Sequence, residues 1–198
     1  MNGAVAQRPG RRRVAARTAV LVTGASSPAV ADPWSDAARA IVRVPPRASV
    51  LPTEVAAYFE SLGCSVPQPA PDPFLPSKPE NAIRGRYARA GQADHAIVCS
   101  IDGRSRIEVA WGGRAVCPAF AAFEPHDDDL QDIGGGTIGN SRSIRPVLQR
   151  DIDRYRRWFG GARPGDRSHQ GIDDDFKGTG SIVFYCSGGR WLGLQGAD

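Results

Sequence analysis

Three histidines and two short runs of aspartate carry most of the chemical possibility in this sequence. They are His95, His126 and His169, with Asp127, Asp128 and Asp129 in one run and Asp173, Asp174 and Asp175 in the other. A histidine beside a carboxylate and a hydroxyl is the raw material of a hydrolase, because imidazole exchanges a proton near neutral pH and a carboxylate can fix its tautomer. His126 and His169 both stand close to aspartate in the chain. Nearness in sequence does not assemble a triad, and no G-x-S-x-G, H-E-x-x-H or Walker loop accompanies them. No catalytic residue is therefore assigned.

The aspartates suit a second chemistry. Calcium, a hard cation, takes oxygen ligands from loops, and alternate carboxylates serve it better than consecutive ones, which repel. Asp127, Asp129, Asp173 and Asp175 are the candidate ligands on that ground. Neither run has EF-hand spacing, and solvated loop acid is the plainer expectation. Residues 134–139, Gly-Gly-Gly-Thr-Ile-Gly, match G-x-G-x-x-G in form only. A dinucleotide site needs a strand just before and a helix opening from the motif, whereas here an acidic loop precedes and helical periodicity starts near Ile144. A glycine turn is expected, and no cofactor beyond the calcium candidate.

Cys64, Cys99, Cys117 and Cys186 contain no C-x-x-C pair and no histidine at zinc-finger spacing. In an exported chain an even number points to two disulfides, with three connectivities possible. Cys64 with Cys99 and Cys117 with Cys186 is the pairing we favour.

Export is suggested by the leader. Residues 1–31 hold Arg8, Arg11, Arg12, Arg13 and Arg17 and no acid, then the apolar run Ala19-Val20-Leu21-Val22, then Ala29-Val30-Ala31 as an A-x-A cleavage pattern before Asp32. A signal peptide or a disordered basic leader both fit. The leader also explains the formal charge of +4: residues 32–198 have 20 basic and 21 acidic groups, net −1. A nucleic-acid-binding body would show a basic stripe, so no nucleic-acid partner is expected. Nothing approaches the ~18 apolar residues of a membrane span. A periplasmic or secreted location follows from this reading.

The elements that would position these groups are short. Residues 96–100 and 106–111 alternate around Ile101-Asp102-Gly103-Arg104, and residues 181–186 and 191–195 flank Ser187-Gly188-Gly189-Arg190; both read as hairpins. The 106–111 strand should be wet on its Arg106 and Glu108 side. Helical spacing predicts helices over 53–62, closed by Gly63, and over 144–159, with Pro146 in its first turn. Arg150, Arg154 and Arg157 share a face of the second helix, which is either solvated or turned to an anionic partner. Residues 81–90 and 116–123 are expected as further strands, 124–132 and 162–177 as loops, 66–80 as a proline-stiffened connector and 32–50 as a linker. The expected fold is α+β: antiparallel hairpins forming a sheet covered by two short helices, in one domain over 51–198.

Several stretches carry a family resemblance: Gly63-Cys64 with Val66-Pro67-Gln68, Asn81-Ala82-Ile83-Arg84-Gly85, Gly91-Gln92-Ala93-Asp94 with Ala96-Ile97-Val98-Cys99-Ser100, Gly171-Ile172-Asp173-Asp174 and Gly189-Arg190-Trp191-Leu192. Together, over residues 50–198, they resemble a family of uncharacterised exported bacterial proteins. The central stretch is also similar to the FG-GAP or VCBS-type repeat, whose G-x-F…D-x-A-V run forms a strand of a β-propeller blade. The resemblance implies export, a Cys64–Cys99 bridge and a β-rich body, and brings no established activity. Two departures stand out. His95 replaces the tryptophan usual after the aspartate, and Ser168-His169-Gln170-Gly171 replaces an Asp-x-Asp-Gly run, which removes carboxylates that a calcium loop would need. The functional expectation is an exported, non-catalytic module for interaction with an envelope protein or for a structural role; the alternative is a small periplasmic hydrolase using a loop His/Asp pair.

Overall fold

The computed structural model describes residues 32–71, 80–120, 124–165 and 168–196. The expected leader, 1–31, and most of the proline-rich connector lie outside the described residues, as does the side chain of Asp127. In chain order come α1 (Pro33–Ala40), β1 (Arg43–Val44), α2 (Thr53–Ser61) and β2 (Val66–Pro67). A meander follows of β3 (Ala82–Gly85), β4 (Asp94–Ile101), β5 (Arg104–Ala110) and β6 (Glu124–Pro125). A small ribbon of β7 (Leu130–Asp132) and β8 (Ile138–Asn140) leads to β9 (Arg142–Val147), α3 (Gln149–Phe159), β10 (Gly171–Phe176), β11 (Gly180–Ser187) and β12 (Arg190–Gln195). The fold is α+β with antiparallel pairing throughout, and it has two four-stranded sheets, β3-β4-β5-β6 and β12-β11-β10-β9, where one was expected.

The hairpins form where glycine chemistry allows them. Asp102 and Gly103 take φ of 47° and 75°, and Gly188 and Gly189 take 60° and 77°. These are two-residue turns whose positive φ matches the twist of the flanking strands. They close β4–β5 and β11–β12 respectively.

Period-two alternation then builds layers. Ile83, Ala96, Val98, Ile107 and Val109 from the first sheet meet Ile144 and Ile172 from the second. The opposite faces of β3 and β4, carrying Ala82, Ile97 and Cys99, pack under Phe59 of α2. Outside the second sheet, Ile152 and Tyr155 of α3 lie on Val147, Val183, Tyr185 and Leu194. The core is thus α2, sheet, sheet, α3. Covering by α2 also explains why the side of β5 expected to be wet is not: Glu108 is only 6% exposed and is ion-paired with Arg106.

Four local expectations are corrected. Residues 142–147 extend as strand β9, so α3 begins only at Gln149. Ile144, Leu148 and Ile152 repeat at a helical four, yet pairing with β10 wins over 142–147, and β9 is an edge strand, where proline is tolerated at Pro146. Residues 171–176, expected within a loop, form the strand β10. Residues 116–120 are irregular rather than a strand and are tied down by the Cys117–Cys186 disulfide and by Trp191 Nε1 donating to the Pro118 carbonyl at 2.8 Å. Within 32–50, expected as a linker, α1 is capped by the Asp32 carboxylate and β1 pairs with β2.

Cys64–Cys99 and Cys117–Cys186 are both formed, with Cα separations of 5.0 and 5.9 Å. The first fastens the end of α2 to β4, and the second ties the segment after β5 to β11.

Candidate functional site: a cationic cleft beside His126

Just beyond the C-terminal end of α1 the chain turns into β1, and this places Arg43 against β4 and the 3₁₀ turn His126–Asp129. Its Nη1 donates to the Ile41 carbonyl at 2.9 Å and its Nη2 to the Ala38 carbonyl at 3.2 Å, so the guanidinium closes off the negative end of the α1 dipole. Nη2 also meets His126 Nδ1 at 2.6 Å, and Nε donates to Ser100 Oγ at 3.3 Å. Ser100 Oγ and His126 Nε2 are 2.8 Å apart.

These groups open onto a cleft of about 580 Å³ whose walls include Ser35, Arg39, Ser65 and Asp102. Arg39 is ion-paired with Asp36. Arg43 has no carboxylate partner among the described residues.

The wiring of His126 decides what the cluster can do. A guanidinium has donors and no acceptor, so the contact with Arg43 requires a lone pair on Nδ1. The neutral ring then carries its proton on Nε2 and donates it to Ser100 Oγ. A serine hydrolase needs the reverse: a group that accepts from one ring nitrogen, leaving a basic nitrogen at the hydroxyl. As arranged, the imidazole N–H is taken up by Ser100, whose own hydroxyl proton is left to donate, and the cleft offers hydroxyls and guanidinium groups, which is the equipment for holding an anion.

The other histidines are used in packing. His169 is 3% exposed, stacks on Tyr185 at a ring separation of 4.2 Å, and sets Nδ1 against the Gln170 carbonyl at 3.0 Å. His95 sits in β4 opposite Arg84 and Ala110. Burial, helped by the Arg84 charge, holds its pKa below the usual imidazole value.

Two of the candidate cation ligands, Asp129 and Asp173, are answered by arginines. Asp129 Oδ1 accepts from Arg142 Nη1 at 3.1 Å, and its Oδ2 accepts from Ser105 Oγ. Asp174, not among those candidates, binds the same guanidinium through both oxygens at 2.8 Å. Asp173 Oδ2 accepts from Arg145 Nε at 2.8 Å. Asp173 and Asp175 lie in the strand β10 rather than on a loop, and among the described residues no three His, Cys, Asp or Glu side chains gather as a metal site. Burial raises the carboxyls of Asp129 and Asp174 even though Arg142 pulls both down. For Arg142 burial acts to lower its pKa, and the two carboxylates more than reverse that. Gly134, Gly135 and Gly136 all have positive φ and make the turn between β7 and β8.

Arg43, Ser100, Arg142 and Arg145 were not picked out by sequence reading. An isolated arginine in a short extended run carries no spacing signal, and Arg142 and Arg145 fell inside or beside a stretch that read as helix. No protein-family model matches the chain, and neither a curated protein nor a solved structure does.

Proposed function

We propose that this chain is an exported, non-catalytic interaction module that takes an anionic group of an envelope partner into the cleft around Arg43. The observation that carries this reading is the half-buried Arg43 guanidinium, which has no carboxylate partner among the described residues and donates to neutral acceptors, the Ile41 and Ala38 carbonyls, Ser100 Oγ and His126 Nδ1. A positive charge left with only dipolar partners is a standing site for a carboxylate or phosphate. Two disulfides support an oxidising compartment, and no helix of the described residues is long and apolar enough to cross a membrane.

Isothermal titration of the oxidised protein with inorganic phosphate and with citrate, at constant ionic strength, tests the reading. Saturable binding that weakens about tenfold or more in Arg39→Ala and Ser100→Ala supports it. Unchanged affinity in both variants, or no heat with either anion, sinks it. The hydrolase reading keeps one observation in its favour, the 2.8 Å approach of Ser100 Oγ to His126 Nε2. Turnover of a p-nitrophenyl ester that disappears in both Ser100→Ala and His126→Ala would put that reading first.

A further inference from the structure

The buried side of α3 is used by Ile152 and Tyr155, but among the described residues no element covers its other side. Arg150, Arg154, Arg157 and Trp158 fall there at i, i+4, i+7 and i+8, one face of a 3.6-residue helix. Trp158 is 65% exposed, and the Arg154 guanidinium lies 5.5 Å from the centroids of both Tyr155 and Trp158.

Charge is concentrated in the same place. Residues 149–163 hold five arginines and two aspartates, net +3, so the rest of 32–198 carries −4 against the overall −1. Asp151 pairs with Arg150 and Arg154, and among the described residues Arg157 has no acidic partner.

We propose that this face docks the protein on an anionic phospholipid surface. Basic charge alone would suit any polyanion. The exposed indole set among the arginines favours a bilayer. Its headgroup layer takes guanidinium groups at the phosphates and an indole with its ring in the apolar boundary and its N–H in water. At 11 residues α3 is about 16 Å long, enough to lie along such a surface and far too short to cross it. The negative remainder of the body would orient the protein, with α3 toward the membrane and the acidic surfaces away from it. This site is on the outer face of the second sheet and does not depend on the Arg43 cleft.

Co-sedimentation of the oxidised, leader-free protein with vesicles tests it, comparing pure phosphatidylcholine with vesicles containing about 30 mol % phosphatidylglycerol. The expected result is binding to the anionic vesicles alone, weakened at high salt. Trp158→Ala should weaken it about tenfold, and Arg154→Glu with Arg157→Glu should abolish it while leaving the melting temperature within a few degrees, since both side chains are surface-exposed. Arg39→Ala, which alters the cleft, should bind vesicles as the unaltered protein does. Equal binding to neutral vesicles, retention of binding by the double variant, or no binding at low salt by protein with native circular dichroism would each overturn the proposal. Binding of an acidic protein or of DNA through the same arginines, without vesicle binding, would overturn it too.

Discussion

Arg142 grips Asp174 with both arms of its fork, Nε to Oδ1 and Nη2 to Oδ2, each at 2.8 Å. Its remaining nitrogen reaches Ser105 Oγ at 2.9 Å and Asp129 Oδ1 at 3.1 Å. One side chain on β9 therefore joins β5, β10 and the turn before β7, and it does so where the two sheets face each other. The arrangement has two carboxylates to one cation, and all three groups are buried.

Removing that cation should be costly and should depend on pH. Arg142→Met leaves Asp129 and Asp174 buried without their counter-charge, a loss of about 3–5 kcal/mol at neutral pH. At about pH 4 the stranded aspartates can take up protons, so the loss should shrink there. Urea denaturation of the variant at both pH values measures it. A penalty that stays the same at both would mean that packing against Phe176, whose ring centroid lies 5.4 Å from the guanidinium, matters more than charge.

Asp175 should be a net burden at neutral pH. Burial raises its pKa above the ordinary 3.8, and the neighbouring charge of Asp173 adds to the rise. A raised carboxyl contributes stability below its unfolded pKa and loses that contribution as pH climbs through the folded value. Asp175→Asn removes this loss. The variant should melt ~2–4 °C higher at pH 7.5 and show no advantage below pH about 3.8. A melting temperature that moves equally at both pH values would assign the effect to something other than ionisation.

The two disulfides close loops of 35 and 69 residues. Loop-closure entropy gives about 4 kcal/mol for each, the longer loop a few tenths more. Cys64→Ala with Cys99→Ala, and Cys117→Ala with Cys186→Ala, should each destabilise by that order in urea. The second pair should also disturb near-ultraviolet circular dichroism more, because Phe120, Trp111 and Trp191 stack beside that segment at ring separations of 4.6 and 5.9 Å. A cost under about 1 kcal/mol for either pair would mean that native-state strain offsets the entropy.

Turns and the helix α2 were legible in the sequence because their causes are local. Asp102-Gly103 and Gly188-Gly189 need positive φ, and α2 needs only an apolar stripe and Gly63 at its end. The strand β10 was not legible, since three successive aspartates argue for loop until Arg142 and Arg145 of the neighbouring strand are known to pair with Asp174 and Asp173. The candidate site divides the same way. His126 was visible as a chemical group, but its partners, Arg43 and Ser100, come from 83 and 26 residues away, and it is these partners that set the tautomer and leave the serine without a basic nitrogen beside it.

Asp94 offers a last test of how distant segments are held. Its carboxylate is fully buried and accepts four hydrogen bonds: Oδ2 from the backbone N–H of Tyr87 at 2.8 Å and of Ala88 at 3.0 Å, Oδ1 from Gln92 Nε2 at 2.7 Å and from the Gly112 N–H at 3.0 Å. Gly112 fits there because a Cβ would lie 1.8 Å from the Ala93 carbonyl oxygen. Asp94→Asn keeps the shape but turns one acceptor into a donor, so two N–H groups lose their partner and face another N–H. The expected cost is about 2–4 kcal/mol, localised by hydrogen exchange: depending on the side chain's orientation, either the Tyr87 and Ala88 amides or the Gly112 amide should lose protection. Retained protection at all three positions, with a stability change under about 1 kcal/mol, would show that the loops before β4 and after β5 hold themselves without this carboxylate.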